Sequence, residues 1–409
     1  TMPSVRFAAR GALAVLAVAA ALAGPKRAAR AMDCARALIT LFAPTTLRDG
    51  ADSTLDMMRV AVDEATRRLF LASDADQGDP RAAAMLDALR VRGGKSVFVD
   101  FLRGLGAPVS RDALLAAITT TLVWGPLRRK RVSRLSAEFA PWYLRLCGVM
   151  VAASVPAQDH HGGLFCGVPR GDLYQTATAS DLMFLALTGR RPVVGEARHI
   201  ALLCGLLISN GPGAITAQGA KGAVSADGPQ TPERVQINKA MMGFLTHSGY
   251  SHGGNGFEGI AFLLDQFAGS GLTDPANPDH GLDLAAMATR FATGFKRDKA
   301  TAKDVGREPR AIPGINHPVF RGQPVNIDPR TQFVTQDLAA RGEYNVFLDF
   351  YAELVLALKR TSATPNVFCV NVDAVIAALL LEMLWAEYRK GDFPEDRMAA
   401  AAFMVAQSD

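Results

Sequence analysis

NVFCVNVDAVIAALLLEMLWAEYRK, residues 366–390, decides the fold class. Its first part is a short apolar, strand-like run. From Val372 the apolar residues recur at helical spacing, which predicts a long helix. Asp373 sits where one pattern gives way to the other. A carboxylate there has two readings: a helix N-cap, or a group held at a helix start for chemistry.

The same periodicity recurs along the chain. VFLDFYAELVLALKR (346–360), ARHIALLCGLLIS (197–209), DLMFLALTGR (181–190) and SRDALLAAITTTLVW (110–124) each predict a helix. STLDMMRVAVDEATRRLFLAS (53–73) predicts another, with Ser53 as its N-cap. Strand-like alternation is scarce, and KSVFVDFL (95–102) is the best short candidate. The expected class is therefore mainly α, with no internal repeat at a fixed period. Gly and Pro cluster in four loops, at 154–172, 209–232, 250–256 and 307–330. Loops carrying His, Asn, Gly, Asp and Arg between apolar helices are where a helical enzyme keeps its chemistry. The first 150 residues have no such loop and are expected to form an accessory helical region.

Bulk properties bound the function classes. A chain of 409 residues, 49% hydrophobic and 20% charged, builds a sizeable core and exceeds the usual single domain. A net charge of +5 spread along the chain gives no nucleic-acid footprint. The tightest basic run, LRRKRVSR (127–134), reads as a solvated helix end or linker, with a phosphate or acidic lipid as the alternative. Five cysteines without CxxC spacing indicate neither a zinc site nor a disulfide framework, and read as small buried hydrophobes in a reducing compartment. Residues 1–32 contain no acid, and residues 11–24, GALAVLAVAAALAG, are too few to span a bilayer as a helix. They are expected to be a retained packing helix. Signal-peptide, organellar transit and membrane-contact readings of the segment stay open.

Only seven histidines are present, so each can be weighed. In YSHGGNGFEG (250–259), His252 precedes glycines that allow close backbone approach. In IPGINHPVF (312–320), His317 follows a Pro-Gly turn. Together with Asp373 they form a general acid–base set able to remove a proton next to a carbonyl and stabilise the resulting enol. His199 and His280 read as structural or exposed. Asp159–His161 lacks a third ligand at helical spacing and reads as a polar loop, so no metal is expected. The glycines of NGPGAITAQGAKGA (210–223) lack G-K-[ST], which excludes a P-loop.

These segments resemble the citrate synthase superfamily, including the citryl-CoA lyase module of ATP-citrate lyase. HGGNGFEG is similar to that family's H-G-G-A-N-E motif, PGINHPVF…NIDPR to its P-G-x-G-H-x-V…D-P-R, and PNVFCVNVDAVIAALLLEM to its P-N-V-D segment and following helix. ISNGPGAITAQGAKGAV (208–224) resembles the lyase's D-H-G-P-A-V-S-G-A-H stretch. The likeness covers about residues 160–409 in matching order. It implies a multi-helical fold with a large domain (159–265 and 365–409), a small domain (266–364), an accessory helical region (33–158) and the apolar, basic N-terminal segment (1–32). By the same resemblance Asp373 takes the α-proton of an acyl-CoA, His252 hydrogen-bonds the thioester oxygen, and His317 acts as acid on the carbonyl of a keto acid. Arg330 is implied as a substrate-carboxylate ligand, and the backbone of Ile312, Pro313, Gly314, Ile315 and Asn316 as the wall for coenzyme A. Lys296, Arg297 and Lys299 suit its phosphates, or an exposed helix end equally well. A homodimer, or a place in a larger complex, and a mitochondrial or cytoplasmic address belong to the same expectation.

The departures concern the keto acid. The family's Asp-His is Ser209-Asn210 here, so Asn210 replaces a histidine and donates only through its amide. Gln407 stands where the family has an Arg-Ser pair. Arg321 lies in a longer spacer between His317 and Arg330, as a replacement cation or a solvent-facing residue. Each lost charge-assisted partner to a carboxylate removes about 1.5–3 kcal/mol. Two functions are therefore carried: an acyl-CoA enzyme that forms or cleaves a carbon–carbon bond, and a catalytically degenerate subunit that serves a larger assembly structurally.

Overall fold

The computed structural model describes residues 28–52, 60–73, 79–154, 163–207, 213–225, 228, 237–248, 254–267, 269–307, 311–316, 328–363 and 369–406. Among these residues the chain is mainly helical, and the only sheet is a hairpin of β1 (Leu164–Phe165) and β2 (Val168–Pro169). Cys166 and Gly167 turn it, both with positive φ. No described helix is long and apolar enough to cross a membrane, and residues 11–24 lie outside the described residues.

The described residues fall into two compact units. One takes in residues 28–191 and 220–243. In it α1 (Ala29–Phe42) packs on α5 (Arg111–Arg128) and α6 (Arg134–Ser154). α2 (Glu64–Phe70), α3 (Pro80–Val91) and α4 (Val97–Arg103) surround them. The core is aromatic: Phe98 meets Phe42 and Trp124 edge-on, at centroid distances of 4.9 and 5.2 Å. The Trp124 indole donates to the Leu47 carbonyl at 3.2 Å, which satisfies its one buried polar atom.

Two sequence expectations are corrected here. KSVFVDFL is not a strand, because the Ser96 hydroxyl accepts from the Val99 amide at 3.0 Å and starts α4. The helix expected from Ser53 begins at Glu64, where the Asp63 carboxylate accepts from the Thr66 amide at 2.8 Å; Ser53 itself lies outside the described residues. The basic run at 127–134 serves as a helix end: Arg128 donates to the Ala43 carbonyl and Arg134 binds the buried Glu138. Of the cysteines, Cys34 is buried and unbridged, and burial pushes its thiol up to about 12. α7 (Arg170–Thr176) lies on α3, where Arg92 donates to the Ala177 carbonyl and Gln175 to Asp87. α8 (Ala179–Thr188), capped by Thr178, packs on α6.

The second unit takes in residues 192–219 and 244–409. α9 (Val194–Leu207) opens it; α10 (Ile215–Ser225) and α11 (Ile237–Thr246) are divided between the two units at residues 219/220 and 243/244. Its centre is α16 (Val372–Lys390), buried on every side from Ala374 to Leu381. Such a helix carries no polar stripe and belongs inside a bundle. α12 (Gly254–Phe267), α15 (Val346–Arg360) and α17 (Glu395–Ala406) pack on it. α13 (Leu284–Asp304) lies on α15, and α14 (Pro329–Ala340) touches α16. α9 brings the buried His199 and Arg198 to Asp337 and Glu343. Desolvation holds the His199 imidazole below its ordinary range, so it serves as a structural histidine. His280 is also structural: its Nε2 bonds the Tyr344 hydroxyl at 2.9 Å and its Nδ1 accepts from the Leu282 amide.

A buried carboxylate on α16 sets a pH dependence. Asn345 caps α15 with its Oδ1 and donates Nδ2–H to Glu382 at 2.6 Å. Burial raises the Glu382 carboxyl from 4.5 to about 7, so the folded chain binds this proton more tightly than the unfolded chain. Stability on this account falls as pH rises from about 4.5 to about 7 and stays reduced above. Glu382→Gln is neutral throughout and keeps an acceptor for Asn345. It should be more stable than the unsubstituted chain at pH 8, by up to about 3 kcal/mol, and equal to it at pH 4. Urea melts at the two values measure the difference; an equal effect at both would sink the assignment.

Candidate active site

The start of α16 and the loop 311–316 form one hydrogen-bonded unit. The Asn316 amide donates to the Cys369 carbonyl at 2.8 Å, and the Asn371 amide to the Gly314 carbonyl at 2.9 Å. Ile315 and Val370 pair as an isolated antiparallel bridge. Gly314 and Asn316 both take positive φ, 78° and 71°, and this folds the loop back against the helix. A Cβ on Gly314 would lie 2.7 Å from the Ala374 Cβ and 2.8 Å from the Tyr351 hydroxyl oxygen, so only glycine fits.

Asn371, not Asp373, caps α16. Its Oδ1 accepts from the Asp373 and Ala374 amides at 2.9 and 3.3 Å. Its Nδ2 donates to the Asn316 carbonyl at 2.6 Å and ties the loop to the helix. This removes the N-cap reading of Asp373, which is half-buried in the first turn. Asn371→Ala loses the cap and the tether together. It should lower stability by about 2–3 kcal/mol in thermal melts, whereas a loss below 0.5 kcal/mol would show that the loop stands without it.

Asp328 joins a third element to this point. It is almost fully buried, caps α14 through the Arg330 amide, and accepts from the Val372 amide at 3.2 Å. Arg330 compensates its charge with a two-point contact, Nε at 3.1 Å and Nη2 at 2.9 Å. The guanidinium edge that would take a substrate carboxylate is therefore occupied by an internal one.

Beside the loop is a cavity of about 660 Å³, a size typical of small-molecule sites. Ile312 and Pro313 form one wall, Phe262 and Phe291 another, and charges of both signs line it, Arg290 and Lys299 with Glu258, Asp265 and Asp298. Phe262 meets Phe291 edge-on at 5.0 Å. Lys296 and Lys299 donate to the Thr361 and Ala363 carbonyls just past α15, and both stand within α13, short of its end at Asp304. Arg297 is exposed beside Asp298. Among the described residues no group of three or more His, Cys, Asp or Glu is placed to hold a metal.

One polar atom near the site lacks a partner. The Tyr351 hydroxyl on α15 is fully buried and makes no hydrogen bond, which costs about 1–3 kcal/mol. Burial foremost, and the charge of Asp373, push its phenol well above the ordinary range.

Of the residues expected from sequence, Asp373, Arg330 and Ile312–Asn316 are thus gathered at one place. His252, His317, Asn210, Arg321 and Gln407 lie outside the described residues. α12 begins two residues after His252, and its Gly259 packs closely on α16, where a Cβ would come 2.9 Å from that of Ala377. Sequence reasoning passed over Asp328, Asn371 and Tyr351. The first two carried a signal, being N-cap residue types directly before Pro329 and before Val372; Tyr351 carried none.

Comparison with known proteins gives a fold likeness only. No family model matches the chain, and no curated protein does. Among solved structures, citryl-CoA lyase from Hydrogenobacter thermophilus is 18% identical with a TM-score of 0.40, over 59% of this chain and 82% of that one. ATP citrate lyase from Methanothrix soehngenii, in complex with citrate and coenzyme A, is 19% identical with a TM-score of 0.42, over 76% and 47%. A variant ATP citrate lyase from Methanosaeta concilii, in complex with (3S)-citryl-CoA, is 17% identical with a TM-score of 0.40, over 76% and 48%. The chain spans less than half the length of either ATP citrate lyase. Likenesses of this size assign no activity.

Proposed function

We propose that the chain is a citrate synthase-like acyl-CoA enzyme that forms or cleaves a carbon–carbon bond through an enol. One observation carries the reading. The loop expected to meet coenzyme A is hydrogen-bonded to the helix turn that holds Asp373, at the edge of a 660 Å³ cavity lined by aromatic rings and by charged side chains of both signs. Two segments picked from sequence for one reaction, more than 50 residues apart, are neighbours in space.

The chemistry assigns Asp373 as base. Its carboxylate takes the α-proton of the thioester, and the C–H electron pair becomes the C=C bond of the enol. The thioester oxygen takes a proton from His252 as its charge develops. The enol carbon then attacks the carbonyl of a keto acid, whose oxygen is protonated by His317, while the enol proton returns to His252. Cleavage runs these steps backwards. The roles of His252 and His317 come from the motif resemblance. The acyl-CoA would lie along Ile312–Pro313, with its phosphates toward Arg290 and Lys299. A homodimer or larger assembly as the working unit, and a mitochondrial address, belong to the same proposal.

A second reading, a catalytically degenerate subunit, draws on the closed Arg330–Asp328 contact, which removes one ligand for a substrate carboxylate. One experiment separates the two. The purified protein should bind acetyl-CoA and exchange its α-protons in D₂O, followed by NMR. Neither binding nor exchange, with stable recovery in a large complex, would overturn the enzymatic reading.

A further inference from the structure

We infer that Tyr351 is a positioning residue for Asp373: its hydroxyl donates a hydrogen bond to the carboxylate in the rotamer that takes up the substrate proton. The inference rests on the proposed role of Asp373 as base. Tyr351 is fully buried, with its ring against Phe262 and Phe350 at centroid distances of 5.8 and 6.3 Å. A phenylalanine would serve that packing equally well. What the tyrosine adds is an oxygen, and the fold makes room for it. The oxygen lies where Gly314, Gly259 and Ala374 meet; a methyl on Gly314 would come within 2.8 Å of it, and one on Gly259 within 3.6 Å. Three small residues from three elements thus surround a donor that makes no hydrogen bond.

Such a donor is kept where an acceptor reaches it in some working state. Asp373 is in the same turn as Ala374, and it is the ionised group whose charge the phenol feels. The neutral phenol is a donor and the carboxylate an acceptor, so the pair is complementary. Tyr351 is fully buried, so it acts through Asp373 and not on the substrate.

The test is a double-mutant cycle of Tyr351→Phe with Asp373→Ala, read by thermal melts at pH 7, together with α-proton exchange by the single Tyr351→Phe variant. The melting shift caused by Tyr351→Phe should differ between the two backgrounds, being more stabilising where Asp373→Ala has removed the acceptor. The exchange rate should fall roughly tenfold or more. The acid limb of its pH profile should move up by about one unit, because the carboxylate loses a donor, with acetyl-CoA affinity held within about twofold. Equal melting shifts in both backgrounds would overturn the inference. If the unsubstituted protein shows no exchange, the proposed function fails by itself, and the melting cycle still decides whether the two side chains are coupled.

Discussion

Asp373→Asn should lower the α-proton exchange rate of acetyl-CoA by about 10² to 10⁴-fold, the range that a positioned general base contributes. The fold should survive the change. The Asp373 amide is held by Asn371 Oδ1 whatever the side chain, and the cap belongs to Asn371. Binding of acetyl-CoA should therefore persist, so the loss falls on the rate and not on affinity. Calorimetry and deuterium uptake by NMR measure the two separately. A variant that exchanges at the original rate would remove Asp373 from the mechanism.

Gly314→Ala is expected to be the most disruptive single-methyl change in this unit. Two costs add. At φ +78° an L-residue is strained by about 1–2 kcal/mol. The new Cβ would overlap Ala374 and Tyr351 at 2.7–2.9 Å, and those atoms belong to core helices that yield little; overpacking of this kind adds about 1–3 kcal/mol. The sum, about 2–5 kcal/mol, corresponds to a fall in melting temperature of roughly 10 °C for a unit of this size. Affinity for acetyl-CoA should fall with it, because Ile312 and Pro313 move with the loop. Differential scanning calorimetry reads the first effect, and a melting temperature within about 2 °C of the original would show that the loop relaxes freely.

How much of this was legible in the sequence depended on the range of the forces involved. The helix at 346–360 follows its apolar spacing to the residue, whereas α16, apolar on every side from Ala374 to Leu381, is announced by the length of its apolar run. Local capping was less visible. Asp373 was weighed as the cap although Asn371 stood two residues earlier, and KSVFVDFL alternates like a strand while Ser96 turns it into a helix. The spatial joining of Ile312–Asn316 with Asp373 came only from motif resemblance, since no periodicity links residues that far apart. The contacts of Asp328 with Val372, and of Tyr351 with Gly314, are long-range and had no signature in the chain at all.

The burial of α16 has a consequence for how the protein would work. Asp373 stands on the first turn of the helix with the least freedom in its unit, wedged among α12, α15 and α17. A base at the position proposed for Asp373 would not travel toward its substrate. Opening, closing and choice of reactant would then fall to the pieces around it, and the chemistry would wait at a fixed address while everything else came to it.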